Sequence, residues 1–191
     1  MLTDALQFLI HTLFDLIATA FWLRFYLQWA RVPFHHPFAQ FIIRVTDFAV
    51  RPLRRVIPGL FGLDWSSLLP FLGVEILAVF LSELISGFPF SVAGAGVLSS
   101  LLLLGIAAAL RLVLQTLVIL VIGQAVLSWV SPVSPASALF HALTAPILNP
   151  LRRIIPPIAS VDLSPIAAFI LIQLVLMLPV TLLEQSARAM L

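Results

Sequence analysis

Four stretches of near-continuous apolar sequence, residues 8–30, 67–86, 109–130 and 164–184, set the tightest limit on what this chain can fold into. Each approaches the ~20 residues a helix needs to cross a bilayer's hydrocarbon core. A helix satisfies its backbone within the segment itself, so it is the form a single span takes in lipid. Of 191 residues, 62% are apolar and 9% charged, against about 45–50% and 25% in soluble domains. A mean hydropathy of +1.17 agrees. The length leaves room for four or five spans and none for a separate catalytic domain. The absence of cysteine excludes disulfides and thiolate chemistry. An acidic opening, Met1-Leu2-Thr3-Asp4, stands where a secretion signal is basic, so the first run reads as a mature helix.

The chain also repeats itself. Pro52-Leu53-Arg54-Arg55-Val56-Ile57-Pro58 returns 98 positions on as Pro150-Leu151-Arg152-Arg153-Ile154-Ile155-Pro156, followed in both copies by Asp-x-Ser at Asp64/Ser66 and Asp162/Ser164. Thr46 pairs with Thr144, Pro37 with Pro135, and Trp29 with Trp129 after a two-residue slip. An all-α polytopic membrane protein follows, with four transmembrane helices in two tandem repeats. The first is residues 1–86 and the second 109–191, joined by an 87–108 connection on the outer face. Residues 88–108 either lie on that surface, extend the third helix or form a fifth span. Each repeat has an even number of spans, so the two are parallel, related by an axis along the membrane normal.

Each repeat places an amphipathic segment between its spans. In 38–51 the apolar Phe38, Phe41, Ile42, Val45, Phe48 and Ala49 keep helical spacing opposite Gln40, Arg44, Asp47 and Arg51; residues 136–148 repeat the stripe with a blank polar face. Too short to cross, both are expected to lie in the interface. The basic residues are ten arginines, seven of them in the two segments that join spans within a repeat. By the positive-inside rule those segments are cytoplasmic and both termini face outward. Ten arginines are too few for a nucleic-acid footprint, and no direct nucleic-acid partner is expected.

Prolines bracketing each Arg pair are expected to hold it in a short restricted stretch. Arg54, Arg55, Arg152 and Arg153, with Arg44 and Arg51, then serve either as topology anchors or as forks for lipid phosphate or partner carboxylates. Asp64 with Ser66, and Asp162 with Ser164, read as helix caps opening spans two and four.

Polar residues inside the apolar runs are costly and therefore informative. At ~1.5 Å per residue from the cytoplasmic ends, Arg24 lies at the depth of Glu75, while Arg111 lies near Asp15 and Glu83. Depth suggests the pairs Arg24–Glu75 and Arg111 with Asp15 or Glu83. In the repeat, Glu75 maps onto Gln173 and Arg24 onto Gln124. These side chains are either interhelical glue or part of an ion route. His11, His35, His36 and His141 make no metal-binding spacing, and no phosphate loop, nucleophile elbow or zinc motif occurs. No enzyme chemistry, cofactor or metal is expected.

The doubled Pro-Leu-Arg-Arg-(Val/Ile)-Ile-Pro with its Asp-x-Ser resembles the YggT family, which includes the YlmG proteins, over the whole chain. The second copy keeps a Thr-x-Pro at Thr144 and Pro146, and in the first Phe48 stands at the proline's position. The resemblance implies a small multi-pass protein of the bacterial inner membrane, connected with osmotic tolerance and cell-division gene neighbourhoods, and in plastid relatives with cytochrome assembly and nucleoid distribution. It brings no catalytic residues. The expected role is an accessory or assembly factor whose Arg-Pro loops dock a membrane complex, another copy of the chain or anionic lipid. The alternative is an oligomeric ion or osmolyte pathway.

Overall fold

A computed structural model describes residues 1–33, 35–57, 64–90, 94, 96–155 and 162–190. Six helices account for almost all of them: α1 (Leu2–Trp29), α2 (Pro37–Val56), α3 (Trp65–Ile85), α4 (Gly96–Val130), α5 (Pro135–Ile154) and α6 (Ser164–Arg188). α1, α3, α4 and α6 are long and apolar enough to span a bilayer. Most of their surface faces outward with residues such as Leu9, Leu13, Leu16, Leu77, Ile119, Ile170 and Leu174, as suits helices solvated by lipid.

The two repeats have the same plan. α1 packs on α3, and α4 packs along α6, with α2 and α5 set against the ends of their own pairs. The local details repeat as well. α2 opens with Pro37 after His36, whose Nδ1 accepts the Phe38 N–H at 3.2 Å; α5 opens with Pro135 after Ser134, whose Oγ accepts the Ser137 N–H at 3.1 Å. Both helices end with one backbone bond, Ile57 to Leu53 and Ile155 to Leu151, each 2.8 Å.

The repeats meet along α3 and α4, and no comparable seam joins α1 to α6. The first half of α4 makes much of this contact, which resolves the connection: residues 96–108 extend the third helix into one rod of 35 residues, ~50 Å long at 1.5 Å per residue. They neither lie flat nor form a fifth span. Leu101 and Leu104 pack with Val79 of α3 and Ala187 of α6, and the Ser100 hydroxyl donates to the Ala187 carbonyl at 2.6 Å. α6 carries a π-helical turn at Leu176–Val180, which contains Pro179. Proline has no N–H to give and disrupts the regular ladder; within the wider turn the Thr181 hydroxyl donates to the Leu176 carbonyl at 3.0 Å.

Gly105 permits the close α3–α4 approach, because a Cβ there would overlap both the side chain and the Cα of Ile76. Gly105→Leu should therefore force the seam apart and cost about 1–3 kcal/mol or more, read as a lower midpoint of thermal unfolding in detergent. Gly73→Ala, on the same bundle with nothing near the added carbon, should be neutral or slightly stabilising.

Candidate functional site

One end of the bundle, which holds α2 and α5, carries most of the arginines. Among the buried residues of α2 are Ala39, Ile42, Thr46 and Val50, a narrow face at helical spacing. Phe41 and Phe48, 61% and 75% exposed, turn away from the bundle with Val45. The apolar stripe read from the sequence is thus divided, one edge facing protein and the other facing outward. Phe48 still reaches α1 through a tilted ring contact with Phe21 at 6.1 Å.

The Arg pairs sit on the last helical turns of α2 and α5, and Pro52 and Pro150 lie inside those helices. This corrects the expectation of a proline-stiffened loop: the helix itself supplies the rigidity, and cations at its C-terminus suit the dipole. Pro58 and Pro156 lie outside the described residues. The two members of each pair do different work. Arg54 bonds the buried Asp64 carboxylate at 2.5 Å, and Arg152 bonds Asp162 at 2.8 Å, each tying the end of the amphipathic helix to the start of the next span. Arg55 and Arg153 are exposed, as are Arg44 and Arg51, and none of the four forms an ion pair among the described residues.

The caps depart from expectation. Asp64 holds the N-cap position of α3, but its carboxylate takes Arg54 and the Ser67 hydroxyl (2.9 Å) and makes no side-chain cap bond; Ser66 donates to the Ile57 carbonyl at 3.0 Å. Asp162 stands one residue further out and accepts the Ser164 N–H at 2.9 Å. Partial burial raises the Asp162 pKa, but the Ser164 N–H bond and the Arg152 guanidinium outweigh it and hold the carboxyl below its ordinary value of 3.8.

Arg24 of α1 is 8% exposed and takes all its partners from α2: it donates to the Ile43 carbonyl (3.1 Å) and the Thr46 hydroxyl (2.9 Å) and pairs with Asp47 at 2.9 Å. The expected Arg24–Glu75 pair is therefore wrong. Depth alone ignores azimuth, and the α1 face bearing Arg24 meets the amphipathic helix. Arg111 likewise pairs bidentately with Glu184 of α6, at 2.6 and 2.7 Å, and not with Asp15 or Glu83. Glu184 was legible as a carboxylate at the same end of the fourth run. Gln124, the counterpart of Arg24, is buried with Oε1 unpartnered among the described residues, and Ala145 replaces Asp47. Gln173 lines a separate cleft between α4 and α6, so the four matched polar residues do not form one ring.

Two concavities lie toward opposite ends of the bundle. At the Arg end a cleft of about 360 Å³ between the end of α1 and α5 is bordered by Trp29, Arg31, Asn149 and Arg153. Arg31 closes α1 in the left-handed region at φ 55°. A cavity of about 290 Å³ lies toward the opposite end among α1, α3, α4 and α6, with Asp15, Glu75, Glu83 and the Arg111–Glu184 pair on its walls. Among the described residues, no three His, Asp or Glu side chains are placed to share a metal ion.

Four apolar spans, two amphipathic helices and a paired Arg–Asp clasp in each half define a multi-pass helical membrane protein of two tandem units. The chain belongs to the CCB3/YggT family, whose profile matches residues 3–85 and 103–183, one segment per unit. It is 37% identical to an uncharacterized protein of Vibrio alginolyticus, covering 89% of this chain and 90% of that one. It is 35% identical to an uncharacterized protein of Pseudomonas aeruginosa (93% and 89%) and 33% identical to the uncharacterized protein YggT of Escherichia coli (90% and 87%). No solved structure matches.

In a double-mutant cycle followed by unfolding in detergent, Arg24→Leu with Asp47→Ala should show coupling of about 1 kcal/mol or more, and Arg24→Leu with Glu75→Gln less than about 0.5 kcal/mol. The depressed Asp162 pKa contributes stability that is complete above the ordinary aspartate value and lost as pH falls through the folded one. The stability gap between the unmodified protein and Asp162→Asn should accordingly be constant from neutral pH to about 5 and shrink under stronger acid.

Proposed function

We propose that this protein is a non-enzymatic accessory or assembly factor of the bacterial inner membrane whose Arg end, cytoplasmic by the positive-inside rule, docks anionic lipid and, on that surface, a larger membrane complex. The observation that carries this reading is the division of labour within the Arg pairs. Arg54 and Arg152 are consumed in clasping Asp64 and Asp162. The clasps hold rigid the turns that display Arg55 and Arg153 to the exterior. Arg51 and Arg55 flank a shallow groove with Phe48 and Pro52, so guanidinium groups stand beside outward-facing apolar rings. That combination suits the boundary between headgroups and acyl chains. The Trp29–Arg31–Arg153 cleft offers a second place for an acidic headgroup between the two repeats, with bidentate geometry available to either guanidinium.

The alternative, an ion or osmolyte pathway, needs a continuous polar line across the bundle. Trp22 stacks on Tyr26 at 5.4 Å and meets Phe71 at 5.8 Å, and these rings pack with Phe21, Leu112 and Leu120 into the main core between the two concavities. A route would need an oligomer to supply it.

Each exposed arginine near an anionic surface contributes about 1 kcal/mol. The triple change Arg51→Ala, Arg55→Ala and Arg153→Ala should therefore weaken retention of phosphatidylglycerol or cardiolipin on the purified protein by tenfold or more, with little change in thermal stability, and should lose partners in pull-downs from membranes. Arg54→Ala with Arg152→Ala should instead lower thermal stability. Undiminished lipid retention and partner recovery in the triple variant would refute the docking role.

A further inference from the structure

The cavity toward the opposite end is unlike the Arg end in charge and construction. Asp15 projects into it from α1, Glu75 and Glu83 from α3, and Glu184 from α6. Glu184 is spent on Arg111 in a two-oxygen pair, so those charges cancel. Three carboxylates then remain against Arg188, which together with His11 also lines the cavity. Glu75 lies midway along α3, ten residues from each end of the helix, is 2% exposed, and its Oε1 accepts no hydrogen bond among the described residues. A buried acceptor without a donor is costly and calls for one.

We propose that this cavity binds a small organic cation bearing a primary ammonium group, whose N–H donors are taken by Glu75 and Asp15 and whose hydrocarbon part lies on Val79, Leu104 and Leu112. This goes beyond the docking role and does not rest on it. Several features select that chemistry. The carboxylates call for a cation, and the unpartnered Oε1 calls for one with N–H donors, which a quaternary ammonium lacks. No three His, Asp or Glu side chains are placed to share a metal among the described residues. The volume of about 290 Å³ is far larger than a bare ion, at the lower end of pockets that take small molecules. Ala78 and Val79 of α3 and Leu104, Ala108 and Leu112 of α4 give the cavity an apolar wall, which would face the tail of such a ligand. Glu75 is the buried carboxylate of the lining, and one turn from it on α3 Phe71 joins Trp22 and Tyr26 in the aromatic core, so the cavity is a vestibule beside that core.

The test is calorimetric titration of the protein in nanodiscs with n-butylammonium chloride, with tetramethylammonium and sodium chloride at equal ionic strength as references. Butylammonium should bind saturably, at least tenfold tighter than either reference, and should raise the unfolding temperature in proportion to occupancy. Glu75→Gln keeps the side-chain volume and removes the charge; it should weaken butylammonium by tenfold or more. Asp15→Asn, at an exposed position, should weaken it severalfold and serves as the deciding variant if Glu75→Gln does not fold. Equal affinity for sodium or tetramethylammonium would overturn the ammonium assignment. Undiminished butylammonium binding in a folded Glu75→Gln, or in Asp15→Asn, would overturn the site.

Discussion

A buried guanidinium organises the Arg end of this molecule. Arg24 lies within an apolar span where water is not at hand to solvate it, and a charge in that position must find its partners in protein. It finds three within about one turn of α2: a carbonyl, a hydroxyl and a carboxylate. Those bonds determine which face of α2 meets the bundle, and hence that Phe41, Val45 and Phe48 face outward beside Arg44 and Arg51. The display of cationic and apolar groups at that end is a consequence of satisfying one charge within it.

The second repeat shows what the same backbone does without that charge. Gln124 and Ala145 stand in place of Arg24 and Asp47; Thr144 keeps the bond to the carbonyl four residues back (Phe140, 2.8 Å) that Thr46 makes to Ile42 (2.6 Å), but among the described residues no guanidinium donates to it. α5 is held mainly by packing, with Leu143 and Leu148 buried and the Phe140 ring against Gly123. It gains one polar tie from the other repeat, the Tyr26 hydroxyl donating to the Leu143 carbonyl at 2.6 Å. What both halves keep is the Arg–Asp clasp at the turn into the second span. That suggests a division within the fold: the clasp is common to both units, while the polar anchor of the amphipathic helix distinguishes them, leaving the first with the more cationic surface.

The two ends of the bundle therefore present opposite chemistry across an aromatic core. Exposed arginines border a cleft at one end, and carboxylates line a vestibule at the other. A neutral pair, Arg111 with Glu184, joins α4 to α6 at the vestibule, and the polar contact of Gln7 with Ser86 (2.7 Å) links α1 to α3 near the same end. Such ties keep the spans together where hydrophobic burial drives no association, because lipid is as apolar as the side chains it would replace.

The span count, the tandem units and the paired arginines were all legible in the sequence, because they depend on run length, self-similarity and composition. The same is true of the family, since the doubled Pro-Leu-Arg-Arg motif is local. The partners of the intramembrane charges were not. Depth along a helix follows from counting, whereas azimuth depends on how α1, α2 and α3 rotate against one another, and so Arg24 went to Asp47 rather than Glu75. The role of residues 96–108 was open for a similar reason: an apolar run has no label for its neighbour, and only the packing of Gly105 on Ile76 and of Ser100 on Ala187 makes it part of a membrane helix. The sequence determined which residues must enter the bilayer; the tertiary structure decided which of them meet, because a contact between helices is a property of two surfaces and their relative rotation.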